Sequence, residues 1–348
     1  MILLTLALPV YNDATALQGT IESILQGVSP SNPSVEIVVS DNNSADGAYS
    51  VSSEMLAGYK NATVIRQKTN IGFAGNLKAL AECSRGEYIW FVGAGDTLVP
   101  NQLREILRFL EKHMPDFGTV HGRFNFHRYW EYEPPEQKLR IANSAKASEV
   151  SLFNHALSMN IMKRSIMIDY DLPLTKSGLE SSAFLAGELD PLRLWESETS
   201  FWPHLEAICQ YVERKGLVSS TWFEYHELSV LLNHNKNGTW DKGLSAMKIF
   251  VQWAEITERT RRAIPTAKWI ENLDKELRGK HLLKFLFMLR KDQTLSPTVA
   301  MRQIEPLKLS LARRTLARMI VNLPRLIVTA LVSSREGTIF VRRAFSRK

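Results

Sequence analysis

Residues 2–12 of the chain read ILLTLALPVYN, an apolar run that ends in a polar turn. The segment Ile2–Leu8 is short and apolar, as a buried β-strand is, and the four residues after it interrupt the run. Downstream, Leu17, Ile21 and Ile24 recur at the spacing of an amphipathic helix. The chain is therefore predicted to open with a strand, a polar turn and a helix.

This alternation of strand and helix continues to about residue 113. Further short apolar runs predict strands at Val35–Val39, Thr63–Ile65 and Tyr88–Val92. Helical apolar stripes lie around Val51–Tyr59, Phe73–Ala81 and Leu103–Leu110. Strands that alternate with helices in this way are typical of a parallel sheet with helices on both faces. In such a sheet the loops at the carboxyl ends of the strands gather along one edge, where ligands bind.

Three polar clusters follow three of these strands, namely Tyr11–Asp13, Asp41–Asn43 and Gly93–Asp96. Asn, Asp and Gly are ordinary turn residues, and any one of these clusters alone is best interpreted as a turn. The proposed topology brings all three to the same edge of the sheet. Their common position therefore predicts a ligand site there.

The rest of the chain is predicted to hold a second half of the same domain and a helical tail. Residues 114–232 are rich in Trp, Tyr, His and Pro, with a strand expected at Thr119–Phe126 and a helix at Leu205–Val212. Asn233–Gly238 is the clearest boundary loop, and helical stripes follow it. We expect one domain over residues 1–232, in two halves that divide after residue 113, and a helical region over 233–348.

Charge is distributed unevenly along the 348 residues, whose formal net charge is +7. Residues 259–348 carry 21 Lys and Arg against 6 Asp and Glu, whereas the rest carries 22 against 30. A basic tail on an acidic body favours phosphate groups as partners. The two cysteines form no disulfide framework, which fits a reducing compartment. We expect no signal peptide and no membrane span, because the best apolar candidate, Met319–Val332, is short and contains Asn322, Pro324 and Arg325.

Four ordered fragments give the first 110 residues a resemblance to a known family. They are Ala7–Asn12, Val38–Gly47, Asn70–Asn76 and Gly86–Phe91 followed by Asp96. In order and spacing they resemble the family 2 glycosyltransferases of GT-A fold. The resemblance implies a Rossmann-like, mostly parallel sheet with helices on both faces, followed here by a mainly helical, basic C-terminal region. It also implies an inverting transferase that uses a nucleotide diphosphate sugar, as in bacterial surface polysaccharide assembly, with residues 1–113 as the donor-binding half and residues 114–232 as the acceptor half.

The resemblance assigns donor contacts to nine positions. These are Pro9, Val10, Tyr11, Asn12, Asp41, Asn43, Asn76, Gly95 and Asp96. Asp41 stands at the end of a strand, where it can accept a hydrogen bond from an N–H of the base. Asp96 corresponds to the last carboxylate of the family's metal motif, which implies a Mg²⁺ or Mn²⁺ ion that bridges the protein and the diphosphate.

Two departures from the family pattern are informative. Gly93 and Gly95 stand where further aspartates are expected, and Ala74 and Gly75 replace a basic residue often found before Asn76. Lys78 could supply that phosphate contact, although a solvated helix position is the better interpretation. The missing aspartates leave an alternative open, in which the chain is a degenerate nucleotide- or glycan-binding protein of the same fold. A nucleotidyltransferase ranks low, because its Gly-rich basic phosphate loop is absent from the first turn.

Inversion at the sugar requires a general base that deprotonates the acceptor hydroxyl. The family usually supplies a carboxylate after the segment that resembles Met159–Ser165. Glu198 is the first candidate and His204 the second, and for each we also considered an ordinary structural role. Trp202 could form a platform for a sugar, or pack in the core.

The tail contains an amphipathic helix pattern. Leu309, Ala312, Leu316, Met319, Ile320 and Leu323 are predicted to form an apolar stripe, with Arg314, Arg318 and Arg325 on another face. Such a helix can lie in the interface of an anionic leaflet, or it can pack on the protein. We expect a cytoplasmic protein, peripheral on the inner face of the membrane, whose acceptor is a glycan or a lipid-linked glycan. No nucleic-acid partner is expected, because no recognition motif is present.

Overall fold

The computed structural model describes residues 1–124, 139–143, 156–171, 202–232, 256–262, 282, 286, 301 and 311–322. The chain forms two compact units. One comprises Met1–Ala186 and Glu198–Gly238, and the other comprises Gly187–Ser197 and Thr239–Lys348.

The amino-terminal part of the first unit alternates strands and helices, as its apolar periodicity predicts. Its strands are β1 (Leu4–Val10), β2 (Val35–Asp41), β3 (Ala62–Arg66), β4 (Tyr88–Phe91) and the short β5 (Thr97–Leu98). Its helices are α1 (Ala14–Gly27), α2 (Ala48–Leu56), α3 (Gly72–Cys83) and α4 (Pro100–His113). Helix α2 begins three residues earlier than the stripe at Val51 indicates and ends before Tyr59, and the strand β5 was not predicted.

The remaining elements of the first unit complete the sheet. They are β6 (Phe117–Phe124), β7 (Leu139–Ala142), β8 (Asn160–Lys163), α5 (Arg164–Ile168), α6 (Pro203–Lys215) and β9 (Trp222–Leu232). A 3-10 turn, Leu157–Met159, leads into β8. The segment Asn233–Gly238, expected as a boundary loop, lies outside the described residues.

Among the described residues, nine strands form one mixed sheet in the order β3-β2-β1-β4-β8-β6-β9-β5, with β7 beside β9. The pairs β1–β2, β2–β3 and β1–β4 are parallel, which confirms the expected arrangement of the first half. Strand β8 then runs antiparallel to β4 and to β6, so β6 and its parallel partner β9 point the same way as β4. The carboxyl ends of β1, β2, β4, β6 and β9 therefore share one edge.

Burial explains why these segments are strands. Every residue of β1, β2 and β4 is buried, as in parallel strands covered on both faces. Helix α1 contacts α2 and α4, whereas α3 contacts α5 and α6, so two groups of helices cover the sheet. Trp90 and Trp222 are among the largest fully buried side chains, and Phe223 packs against Phe109 of α4 with ring centroids 4.8 Å apart.

Asp116 joins the start of β6 to three other elements. Its carboxylate accepts hydrogen bonds from Lys163 Nζ at 3.0 Å, Lys215 Nζ at 3.1 Å and the Thr221 N–H at 2.9 Å. Burial alone raises the pKa of Asp116, but these hydrogen bonds, with one from Tyr211, outweigh burial and hold that pKa below its usual value. The ionised carboxylate therefore links β6, β8, α6 and the start of β9.

In the second unit, helix α7 (Leu311–Asn322) buries a different face from the one that the sequence predicts. Ala317, Ile320 and Val321 are buried, whereas Ala312 and Met319 of the predicted stripe are exposed. The predicted stripe was therefore wrong at these two positions. Apolar residues lie on more than one face of α7, and the face that is buried by packing is not the predicted one. Leu309, Leu323 and Arg325 lie outside the described residues. Among the described residues no helix is both long and apolar enough to cross a bilayer.

We expect Asp116→Asn to lower the free energy of unfolding by about 2 kcal/mol at pH 7, because the two lysines lose their charged partner. A carboxylate whose pKa is lowered by folding stabilises the protein above its unfolded pKa, near 4, and loses that contribution as pH falls through its folded pKa. The deficit of the variant should therefore shrink below about pH 4. Urea unfolding at pH 7 and pH 3.5 measures both values. Asp171→Asn, at a side chain that is 91% exposed, is the control, and an equal loss in that variant contradicts the assignment.

Candidate donor-binding site

The sheet opens between β1 and β4 at the edge where the polar turns lie. Asn42 donates its N–H to the Val10 carbonyl at 2.9 Å, and Val92 donates its N–H to the Ala7 carbonyl at 2.9 Å. Alternate residues of β1 thus form backbone hydrogen bonds to β2 and to β4. Pro9 faces β4, but the pairing of β1 with β4 ends at Ala7, two residues earlier. Proline lacks an N–H, so it fits there without breaking a ladder bond. The chain order also reverses here, which creates the crevice where ligands bind in α/β sheets.

The first two turns are joined by direct hydrogen bonds. The Asn12 N–H donates to Ser44 Oγ at 2.9 Å, and the Ala45 N–H donates to Asn12 Oδ1 at 2.8 Å. Asn12 and Asn43 have positive φ angles of 51° and 66°. Asparagine tolerates this left-handed conformation better than most residues, since its amide can bond locally. These Asn residues therefore shape the turns, whether or not they also contact a ligand.

Asp41 presents a buried carboxylate oxygen at this edge. Its side chain is 1% exposed, and Oδ1 accepts the Ser44 N–H at 2.9 Å. Oδ2 lies 3.4 Å from Nε of Arg66 and has no hydrogen-bond donor among the residues that the structure describes. Buried carboxylate oxygens are almost always hydrogen-bonded, so Oδ2 is suited to accept an N–H from a ligand.

Two buried asparagines connect this edge to α3. Asn42 accepts the Ile71 N–H at 2.9 Å and donates to Asn70 Oδ1 at 2.8 Å. Asn76 is 2% exposed, and its amide both accepts from Ser40 Oγ at 2.6 Å and donates to the Ser40 carbonyl at 3.1 Å. Asn76, predicted as a donor contact, thus holds α3 against β2. Lys78 is occupied as well, since it donates to the carbonyls of Ile168 and Tyr170 at 2.7 Å.

The turn after β4 is held from both sides. The Gly95 N–H donates to Thr20 Oγ1 of α1 at 2.9 Å, and the Gly93 N–H donates to Ser158 Oγ at 2.8 Å. Ser158 Oγ in turn donates to Oδ2 of Asp96 at 2.5 Å. Gly95 has a φ of 96°, a conformation that only glycine adopts readily. The Asp96 carboxylate is therefore fixed at the edge of the crevice and partly exposed.

The predicted donor residues divide into two groups. Tyr11, Asn12, Asp41, Asn43, Gly95 and Asp96 all follow or end the three adjacent strands β2, β1 and β4 at one edge. Pro9, Val10 and Asn76 are buried within the elements that support that edge. Sequence reasoning missed Thr20 and Ser158, which fix the third turn. Thr20 could have been found, because it is a polar residue on the apolar face of the predicted helix α1. No local sequence pattern indicated Ser158.

Two histidines, His121 and His226, lie within the paired strands β6 and β9. Burial, together with Arg140 and His121, lowers the pKa of His226 to about 4, so this imidazole is neutral at pH 7. Burial and Arg123 also lower the pKa of His121. Of the two candidate bases, His204 is 1% exposed in the first turn of α6, and Glu198 lies outside the described residues.

The described residues suit a divalent cation that is bound by one carboxylate together with a diphosphate. They contain no group of three or more His, Cys, Asp or Glu side chains arranged around a metal. Asp96 is the one carboxylate of the turn after β4. Magnesium is commonly bound by one or two carboxylates together with substrate phosphates and water. The residues therefore fit a cation that arrives with a diphosphate, and not one held by the protein alone.

Comparisons with known proteins agree with this architecture. Residues 5–170 match glycosyl transferase family 2. The putative glycosyltransferase EpsE of Bacillus subtilis (strain 168) is 32% identical over 105 residues, which are 30% of this chain and 37% of that protein. The aligned region thus spans little more than a third of the length of that curated relative.

Two solved structures share the fold at low sequence identity. S. aureus TarS 1-349 in complex with UDP has a TM-score of 0.56 and 12% identity, over 92% of this chain and 90% of that one. The mannosyltransferase PcManGT from Pyrobaculum calidifontis, in complex with GDP-Man and Mn²⁺, has a TM-score of 0.52 and 13% identity, over 98% and 84%. With the crevice and its three turns, these findings show a GT-A fold, and over residues 5–170 the chain is similar to glycosyl transferase family 2.

Proposed function

We propose that this protein is an inverting glycosyltransferase that moves a sugar from a nucleotide diphosphate donor to a hydroxyl of a glycan or lipid-linked acceptor in surface polysaccharide synthesis. One observation carries the proposal, which is that Tyr11, Asp41 and Asp96 lie at the carboxyl ends of three adjacent strands, at one edge of the sheet. The TarS and PcManGT complexes contain UDP and GDP-Man, which supports a donor of this class.

The two carboxylates of the crevice suit the two ends of such a donor. Asp41 Oδ2 is buried and would accept an N–H of the base, while the ring of Tyr11 would pack against the base. Asp96 would hold a Mg²⁺ or Mn²⁺ ion bound to the diphosphate. When bound, this ion offsets the charge that develops on the departing nucleotide diphosphate. PcManGT was crystallised with Mn²⁺, which supports this assignment.

The reaction needs one further group. The acceptor oxygen forms a bond to the anomeric carbon while the bond from that carbon to the diphosphate oxygen breaks, and the acceptor proton passes to a base. We assign that base to Glu198, which precedes α6 by a few residues, because the burial of His204 gives the second candidate no contact with solvent.

A second function is motivated by Gly93 and Gly95, which stand where the family pattern leads us to expect aspartates. In it, the protein binds a nucleotide sugar or a glycan but transfers nothing. The two functions predict the same donor affinity but different turnover, so the experiment must measure donor affinity and turnover.

The purified protein is expected to transfer label from a UDP- or GDP-sugar to a membrane extract. Asp96→Ala and Glu198→Gln should each lower turnover at least about 100-fold, whereas Asp41→Ala should raise the KM for the donor about tenfold through the lost hydrogen bond. Donor affinity of Glu198→Gln should equal that of the wild type. Asp171→Ala, at an exposed carboxylate, is the matched control.

Binding of the donor without transfer in any extract favours the second function. Normal turnover in Glu198→Gln moves the base to His204 or to another residue.

We also propose that the protein is peripheral on an anionic membrane surface through α7. Leu311 and Met319 are 81% and 62% exposed, and Arg314 and Arg318 are exposed on the same side of the helix. Apolar side chains that enter the headgroup region beside arginines that meet anionic lipids are the arrangement of an interfacial helix. The excess of basic residues after residue 258 has the sign that this surface requires.

Replacing Arg314 and Arg318 by Gln is expected to weaken binding to phosphatidylglycerol vesicles about 30-fold, since each arginine near the surface contributes about 1 kcal/mol. Leu311→Ser with Met319→Ser should weaken it as well, and vesicles of phosphatidylcholine alone should bind weakly. Sedimentation with vesicles measures this. Arg108→Gln and Val218→Ser, at exposed positions of the first unit, are the controls, and unchanged binding of both α7 variants would exclude this surface.

A further inference from the structure

Ser158 occupies the centre of the polar contacts below Asp96. It lies in the 3-10 turn ahead of β8 and is fully buried, with 0% exposure. Its hydroxyl donates to Asp96 Oδ2 at 2.5 Å and accepts the Gly93 N–H at 2.8 Å. Its carbonyl accepts Nε1 of Trp90 at 2.8 Å, which ties the same residue to β4. The position of the serine is therefore set by the sheet and not by the turn that it supports.

These contacts leave the hydroxyl a single arrangement. A serine hydroxyl has one hydrogen to donate, and the Gly93 N–H can only be accepted by its lone pairs. The hydrogen is thus directed to Asp96. A hydrogen bond to an ionised carboxylate is among the stronger ones, so it fixes the plane of that carboxylate.

Gly93 is the second part of this arrangement. A Cβ atom on Gly93 would lie 3.1 Å from Asp96 Oδ2 and 3.6 Å from Ser158 Oγ. The first distance is tighter than ordinary van der Waals contact, so any side chain at position 93 would push the carboxylate away. The glycine that departs from the family pattern is therefore also the residue that lets Asp96 reach Ser158.

We propose that Ser158 is a positioning residue that holds Asp96 in the orientation in which it meets a divalent cation bound to the nucleotide diphosphate. This inference rests on the proposed function. Partners that hydrogen-bond a metal-ligating carboxylate fix its direction, and their loss commonly weakens the metal 10- to 100-fold. The direction of the carboxylate matters more here, because Asp96 is the one carboxylate of the motif.

The test compares the affinity for UDP and for GDP, measured by calorimetry with and without Mn²⁺, in four variants of the full chain. Ser158→Ala is expected to keep the metal-free nucleotide affinity within about twofold and to weaken Mn²⁺ binding to the nucleotide complex about tenfold. Gly93→Ala should have the same effect through displacement of the carboxylate. Asp96→Ala should abolish the effect of Mn²⁺. Ser52→Ala removes a buried hydroxyl that donates to the Ala48 carbonyl in α2, and it should change neither affinity.

If Ser158 had only a structural role, its loss would lower stability, nucleotide affinity and Mn²⁺ affinity together. A loss of Mn²⁺ affinity with unchanged metal-free nucleotide affinity therefore distinguishes the positioning role. The electron paramagnetic resonance spectrum of bound Mn²⁺ should broaden in Ser158→Ala as its site becomes heterogeneous. Wild-type Mn²⁺ affinity in Ser158→Ala overturns the inference, and if that variant does not fold, wild-type affinity in Gly93→Ala does so. If the wild type binds nucleotide with no effect of Mn²⁺, the metal role of Asp96 fails as well. If it binds no nucleotide, the proposed function itself fails.

Discussion

The reversal of strand order at β1 is the constraint on which the site depends. The chain builds β2 and β3 on one side of β1 and then places β4 on the other, so the polypeptide leaves the carboxyl end of β1 in one direction and that of β4 in the other. Among the residues that the structure describes, no connection joins the carboxyl end of β1 to that of β4. Pro9 reinforces the gap, because a residue with an N–H at that position would carry a donor that β4 no longer reaches. The crevice is thus a consequence of topology, before any side chain in it is considered.

Turns around such a gap need support, because they gain no ladder hydrogen bonds of their own. Here the support comes from short polar side chains that are buried in neighbouring elements. Thr20 on α1, Ser158 before β8 and Asn42 after β2 each bond the backbone of a turn that is distant in sequence. Each such bond contributes about 1 kcal/mol net, but a buried turn N–H without an acceptor costs more. These residues therefore act mainly by excluding other conformations of the turns, which is what a site for a flexible, charged donor requires.

The contrast between predicted and observed features has a physical basis. The strands of the first half were predictable because burial on both faces demands continuous apolar runs, and the turns were predictable because their residues are local. The two-residue strand β5 was missed because it pairs with β9, more than 100 residues away. Ser158 was missed for the same reason, since its bond to Asp96 spans 62 residues. The buried face of α7 could not be chosen from the sequence, because Leu, Met, Ala and Ile lie on both sides of that helix and only packing decides between them.

The replacement of aspartates by Gly93 and Gly95 also changes the electrostatics of the crevice. Carboxylates clustered near a diphosphate repel it until a cation binds, so a motif with several of them makes donor binding depend strongly on metal. A single carboxylate, with one oxygen already bonded to Ser158, repels less. In the proposed function, nucleotide binding then depends mainly on contacts to the base. Asp41 is buried there, and its Oδ2 is available to accept an N–H. Under the proposed function, the glycines at positions 93 and 95 therefore separate the two tasks of the site, with recognition of the base assigned to β2 and charge compensation to β4, and they do not by themselves imply the loss of either.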